Sequence, residues 1–178
     1  VSAVIGIRSD TDTVPVLLAS GNRFTAADAA SVGTFYQAPP ALIRLDAASL
    51  VGTIGTADRT SKLAYLRGQG DPRDVARLVA EANVRRGVSI DLASTVNVVP
   101  EPALGATAAT ASVPELRGMT AATRVSGLEG REKEQLKLYL HAKALRSRAI
   151  IELFCDSRYL DQAAARNVLA GLELVLIE

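Results

Sequence analysis

The chain has little of what would announce a partner or a chemistry. Its 178 residues hold 20 Lys and Arg against 19 Asp and Glu, a net charge of +1. So balanced a chain projects no field to draw in nucleic acid or an acidic membrane surface. No apolar run approaches the roughly 20 residues that span a bilayer, and no signal-peptide pattern is present. The single cysteine, Cys155, cannot close an internal disulfide, and its alternating apolar neighbours place it on a strand as a buried, inert thiol. A cytoplasmic setting is the expectation. No spacing suggests a metal, and no glycine pattern cradles a phosphate. The only histidine is His141.

What is present is ordinary for one globular unit: 48% hydrophobic and 22% charged residues, in a chain long enough to bury a core. Leu17 to Asp46 organises the rest. An apolar strand runs into a polar Ser20-Gly21-Asn22-Arg23 corner, then a short helical link, then Val32-Gly33 and a second extended stretch. A strand that ends in small and amide residues and doubles back gathers polar groups at one spot, as sites on rigid elements do.

Along the chain, Val1 to Arg8 reads as the stump of an apolar helix belonging to something longer, because an uncapped helix start leaves amides unsatisfied. Thr13 to Ala19 is a strand with Pro15 near its start. Thr25 to Ala30 is a short helix. Thr34 to Leu45 is extended, with Pro39-Pro40 favouring an edge. Asp46 is the expected cap of a helix over Ala47 to Arg67, weakened at Gly52 and Gly55 by about 1 kcal/mol each relative to Ala. Asp71-Pro72-Arg73-Asp74 sets a cap, a first-turn proline and an acidic residue in order, and Gly87 ends that helix. Val88 to Val98 alternates as a strand, with Asp91, Thr95 and Asn97 on the face away from the apolar stripe. Pro100 to Met119 has no period and reads as a long loop. Thr123 to Ser126 is a candidate short strand. Leu136 to Leu140 and Ala149 to Cys155 alternate, and a connection through Ala142 to Ser147 makes them an antiparallel hairpin. Asp161 caps a last helix striped by Ala165, Val168, Leu169, Leu172, Val175 and Leu176. The sum is an α/β fold, a mixed β-sheet covered by helices.

These stretches, in this order, resemble the C-terminal half of a condensation domain from nonribosomal peptide synthetases, one lobe of the two-lobed chloramphenicol acetyltransferase-like fold. Ser20 to Phe24 is similar to the family's small-residue-Asn-Arg corner. Val32-Gly33-Thr34-Phe35-Tyr36-Gln37 with Leu42-Ile43-Arg44-Leu45 is similar to its Val-Gly-x-Phe-x-Asn…Leu-Arg-Val signature. Gln69-Gly70-Asp71-Pro72 sits where the family has His/Asn-Gln-Asp-x-Pro-Phe. Arg86-Gly87 through Val96-Asn97 resembles its Arg-Gly…Phe-Asn strand. Leu153 to Leu160 resembles the strand into Asp-Thr-Arg-Tyr-Leu. Gln37 in place of Asn, Ala38-Pro39-Pro40 in place of Leu-Pro-Leu, and Gly70 mark a divergent branch.

The resemblance implies that residues 1–178 are one lobe, and that catalysis belongs to a His-His-x-x-x-Asp-Gly motif on an N-terminal lobe. His141 lacks that context, so no catalytic residue is assigned here. It implies a tunnel between lobes, entered by the phosphopantetheine arms of donor and acceptor carrier proteins, with no bound cofactor. It also implies a crossover segment to the other lobe, for which Pro100 to Met119 is the candidate. The tunnel or positioning candidates are Ser20, Gly21, Asn22, Arg23, Gln37 and Asn97. Each has a plainer alternative: a turn hydroxyl for Ser20, a tight corner for Asn22, an ion-pair or backbone-binding role for Arg23, a sheet-edge amide for Gln37. His141 is expected to be solvated or partly buried, and the Glu129 to Lys137 charge run to be solvated. The implied activity is amide or ester formation between carrier-tethered acyl groups. The alternatives are a non-catalytic platform that binds a carrier or recruits an enzyme, and a free-standing acyltransferase or epimerising relative.

Overall fold

The computed structural model describes residues 11–23, 25–33, 36–45, 49–99, 112–127, 136–145 and 148–177. Five strands, β1 (Thr13–Leu18), β2 (Pro40–Arg44), β3 (Ser94–Val99), β4 (Leu138–Leu145) and β5 (Arg148–Cys155), form one sheet in the order β2-β1-β3-β4-β5. The β1/β2 and β4/β5 pairs are antiparallel, while β3 lies parallel to both its neighbours. The mixed α/β fold expected from the sequence is therefore the one observed. The helices are α1 (Ala26–Ala30), α2 (Leu50–Arg67), α3 (Pro72–Arg86), α4 (Val113–Thr120) and α5 (Gln162–Ile177).

Strand alternation sends even-numbered residues of β1 to one face of the sheet. Val14, Val16 and Leu18 are buried there, with Ala41 and Ile43 beside them on β2, and Ala57, Ala64 and Tyr65 of α2 close over them. A second cluster gathers Leu140 with Val168 and Leu172 of α5, and with Leu138, Ile151 and Leu153 around it. Val96 on β3 packs against both clusters. Helices α2 and α5 thus cover one face of the sheet. The edge position of β2 suits Pro40, whose missing N–H removes no ladder bond in the interior.

Several boundaries differ from the sequence expectation. Helix α2 begins at Leu50, and Ser49, not Asp46, caps it: the Ser49 hydroxyl accepts from the Gly52 amide at 3.1 Å. Strand β3 begins at Ser94, not Val88. Before it, Asn83 Oδ1 accepts from the Ile90 amide at 2.8 Å and Asp91 Oδ1 from the Ala93 amide at 2.9 Å, so side chains take the amides that a ladder would use. Thr95 lies on the face away from the Val96 stripe, as expected, and is nonetheless only 2% exposed. The second part of the expected Pro100 to Met119 loop is helix α4, capped by a Ser112/Glu115 box with Pro114 in its first turn. Residues 100–111 lie outside the described ones, as do the Val1 to Arg8 helix and Asp46. Thr123 to Ser126 is irregular, not a strand. Lys137, placed in a solvated charge run, is ion-paired to Asp91 at 2.6 Å.

The strong signals are where they were read. The Asp71 carboxylate accepts from the Arg73 amide, and Gly87 ends α3 at φ 64° in the left-handed region. The Asp161 carboxylate accepts from the Ala164 amide at 2.7 Å, at the start of α5. Gly68, just past α2, lies against Pro39: a Cβ there would sit 2.5 Å from Pro39 Cβ. Gly68→Ala is expected to destabilise the protein by about 1–3 kcal/mol through overpacking, read as a lowered denaturant midpoint with unchanged slope. An unchanged midpoint would show that the α2 end can move off Pro39 freely.

Candidate functional site

The polar corner after β1 is built from the backbone outward. Ala19 N–H donates to Val96 C=O at 2.9 Å, tying the end of β1 to β3. Ser20 and Gln37 then exchange both backbone bonds, at 2.8 and 3.0 Å. The Ser20 hydroxyl accepts from Asn22 N–H at 3.1 Å, a local turn that holds Asn22 at φ 49°. Asn tolerates that left-handed conformation better than most residues. Gly21 has open space where a Cβ would stand, so no close contact requires glycine there.

Arg23 clasps backbone. Its guanidinium donates to the carbonyls of Asp28, of Ser31 at 2.7 Å and of Gly33 at 2.7 Å. Those acceptors lie within and just after α1, whose start is closed by a Thr25/Asp28 capping box. One planar cation thus fixes the link between the corner and the second strand, a task a lysine's point charge performs poorly. Val32, beside this clasp, stands fully exposed.

Gln37 does more than pair with Ser20. Its side-chain Nε2 donates to Gly70 C=O at 3.0 Å. The corner, the Gln37 segment and the Gln69-Gly70-Asp71 segment, far apart in sequence, therefore meet at one point. Asn97 is not part of this cluster: it lies two residues further along β3 than Thr95 and donates from Nδ2 to the Tyr139 hydroxyl at 2.9 Å.

The sheet face opposite the two clusters carries a polar row. Asn97, His141 and Glu152 are direct partners across β3, β4 and β5. His141 Nδ1 lies 3.1 Å from Glu152 Oε2, and Lys143 Nζ lies 3.4 Å from the same oxygen. The His141 side chain is 17% exposed, within the expected range, and its Nε2 is buried with no hydrogen-bond partner. The Tyr139 ring lies 6.2 Å from the imidazole and 6.0 Å from Phe154. Burial, and then the neighbouring Tyr139, push the Tyr36 phenol up. Sequence reading set His141 on the same side of its strand as Lys137 and Tyr139, and missed Glu152 and Lys143. The signal was the hairpin register: the ladder extends to the Leu145–Arg148 pair, beyond the connection through Ala142 to Ser147 that was expected.

A second polar knot lies at the start of β4. Lys137 pairs with Asp91 and stands 4.3 Å over the Tyr159 ring. The Lys137 bond holds the Asp91 carboxyl below its usual range. An open cleft of about 510 Å³ beside it is lined by Leu17, Ser89, Asp91, Leu92 and Lys137. It is not centred on His141. Cys155 donates towards Leu160 C=O at 3.6 Å, and burial pushes its thiol up, which fits the inert role expected. Among the described residues, no group of three or more His, Cys, Asp or Glu could hold a metal, and no helix is long and apolar enough to cross a membrane.

Two expectations follow. Arg23→Lys should loosen residues 25–33, seen as at least tenfold faster amide exchange there, because about two hydrogen bonds to carbonyls are lost. Unchanged exchange would mean the clasp is ornamental. Asp156, bonded through its carboxylate to the Arg158 side chain and amide, is lowered to about 2. A depressed carboxyl stabilises fully above its unfolded value near 4 and loses that contribution as pH falls through about 2. The stability gap between the protein and Asp156→Asn should therefore be constant near neutral pH and close in acid, measured by denaturant melts across pH. A gap that persists at pH 1 would contradict the pairing.

No protein-family model matches the chain, and no curated protein matches it. Solved structures do. The PapA2 acyl transferase superposes with a TM-score of 0.66 at 13% identity, over 98% of this chain and 36% of that one. The first condensation domain of the CDA synthetase gives 0.61 at 15%, over 99% and 37%. A structure described as the molecular basis for condensation domain-mediated chain release from the enacyloxin polyketide synthase gives 0.59 at 15%, over 97% and 32%. The chain spans about a third of the length of these structures. Its fold is the one found in condensation domains of peptide synthetases and in an acyl transferase, over a share of their length that fits the C-terminal half read from the sequence.

Proposed function

We propose that this chain is the C-terminal lobe of a condensation-type acyl-transfer domain. Joined to an N-terminal lobe bearing His-His-x-x-x-Asp-Gly, it joins acyl and aminoacyl groups tethered to carrier proteins, through an amide or ester bond. Phosphopantetheine enters as the arm of a tethered substrate, not as a bound cofactor. The setting is the cytoplasm of a cell that makes peptide secondary metabolites such as antibiotics. The observation that carries this reading is the superposition of almost the whole chain on about a third of each acyl-transferring structure.

In this reading the lobe positions substrates and excludes water. The Ser20–Gln37–Gly70 junction and the Arg23 clasp fix one wall of the tunnel. A fixed wall keeps the two tethered groups in a near-attack arrangement and shields the thioester from hydrolysis. Ser20, Gly21, Asn22 and Arg23 act through the shape of the corner, and Gln37 and Asn97 as polar wall groups. The proton-transfer group belongs to the partner lobe.

The test is to express the polypeptide with and without the upstream lobe and supply carrier-tethered donor and acceptor. Bond formation is expected only with both lobes, and is expected to fall by roughly 10²-fold or more when the second His of the upstream motif is replaced by Ala. Turnover by these 178 residues alone would overturn the reading. Carrier binding without bond formation by the intact protein would instead assign it to the non-catalytic platforms.

A further inference from the structure

Strand β1 is bonded unequally along its two edges. Towards β2 it pairs over five residues, Thr13 to Leu17, and towards β3 over two, Leu17 with Thr95 and Leu18 with Val96. The alternation of backbone groups gives the reason. Leu18 N–H donates to Pro39 C=O at 3.0 Å and Ala19 N–H to Val96 C=O at 2.9 Å, so even-numbered residues of β1 bond towards β2 and odd-numbered ones towards β3. Of the odd residues before Leu17, Pro15 has no N–H to give. Thr13 N–H donates to the Thr11 hydroxyl at 3.3 Å, and that hydroxyl donates to Thr13 C=O at 3.0 Å. Ahead of β3, Asn83 and Asp91 hold the Ile90 and Ala93 amides. The ladder is therefore blunted from both sides, and the cleft lined by Leu17, Ser89 and Leu92 lies where it stops.

The side chains divide along the same line. The cluster under α2 draws on β1 and β2, the cluster under α5 on β4 and β5, and among the described residues only Val96 packs against both. Helix α3, which carries the chain from one side to the other, places no residue in either cluster. A glycine stands at each of its ends, Gly70 before the Asp71 cap and Gly87 at φ 64°. Those ends are held on opposite sides of the division: the Gln37 side chain bonds Gly70 C=O, and Asn83 bonds the Ile90 amide on the way to β3. Tyr36 neighbours Tyr139 across the division and is half exposed.

We propose that β1, β2, α2 and the polar corner open as one unit from β3, β4, β5 and α5, which stay folded, with α3 as the strap that keeps the two together. Separation between β1 and β3 ends two residue pairs, against five between β1 and β2, six between β3 and β4 and eight between β4 and β5. Cooperative units open where few buried contacts join them to the rest. The unit with the longer ladders is the one that stays. Opening carries Ser20, Asn22, Arg23 and Gln37 away together, because the Ser20–Gln37 bridge and the Arg23 bonds lie wholly within the first unit. Asn97, His141 and Glu152 remain in register on the other. The fold thus holds a device that withdraws the corner whole and re-forms it, without exposing the cluster under α5.

The experiment is native-state amide hydrogen exchange of the full-length polypeptide at low denaturant, read by mass spectrometry. Amides of β1, β2 and α2 are expected to share one opening, at least tenfold more frequent than that of β3, β4 and β5. Leu172→Ala, on the side that stays folded, should speed exchange in β4, β5 and α5 at least tenfold and change β1, β2 and α2 less than twofold. Ile43→Val should speed β1, β2 and α2 about fivefold, and the remaining strands by the same factor, because full unfolding includes the first opening. If Leu172→Ala fails to fold, Ile151→Val on the same side replaces it, with about fivefold expected in place of tenfold. A single opening shared by all strands, β4 and β5 opening first, or a Leu172 or Ile151 variant that speeds both sides equally would overturn the proposal.

Discussion

The structure depends on a pair of backbone hydrogen bonds between Ser20 and Gln37. They carry the β1/β2 pairing past Leu17–Pro40 and set the distance across the corner. Once that distance is set, the Gln37 side chain reaches Gly70 and brings the start of α3 to the same place. Arg23 then acts as a stay, holding the carbonyls of the intervening link. Three segments with unremarkable residues become one junction because the geometry of one bridge is fixed. This is why a Gln at position 37 matters as a tie.

The sheet divides its labour by face. One side is apolar and carries α2 and α5. The other carries a linked set of amide, phenol, imidazole and carboxylate groups. A mixed sheet with a parallel centre is commonly covered on both sides. On this face Thr95 and the His141 side chain are largely buried as well.

How far the sequence foretold this depends on the kind of signal. Strong local chemistry was legible: Asp71 before Pro72, Gly87 after Arg86 and Asp161 before α5 all do what capping residues do, because capping needs only neighbours. The sheet itself was legible from alternation. The face of Thr95 was legible too; its burial was not, since that depends on what lies over the face, not on its own polarity. The start of β3 was misplaced because Asn83 and Asp91 compete for the amides ahead of it, a choice invisible in hydropathy. Helix α4 was hidden in a stretch of Pro, Ala and Thr, although Ser112 and Glu115 stood at capping-box spacing. Of the candidate site, the corner residues were found through resemblance. Glu152, the cross-strand partner of His141, was not, because a shift in hairpin register changes which residue faces it.

Val96 is the residue that touches both apolar clusters, one under α2 and one under α5. Two hydrophobic bodies that share so narrow a seam need not melt together. The seam sits on the middle strand, where β3 pairs with β4 over six residues but with β1 over two. Local opening of one apolar body would reach the other only through Val96 and that short β1/β3 pairing, which makes the junction the place where the two could part.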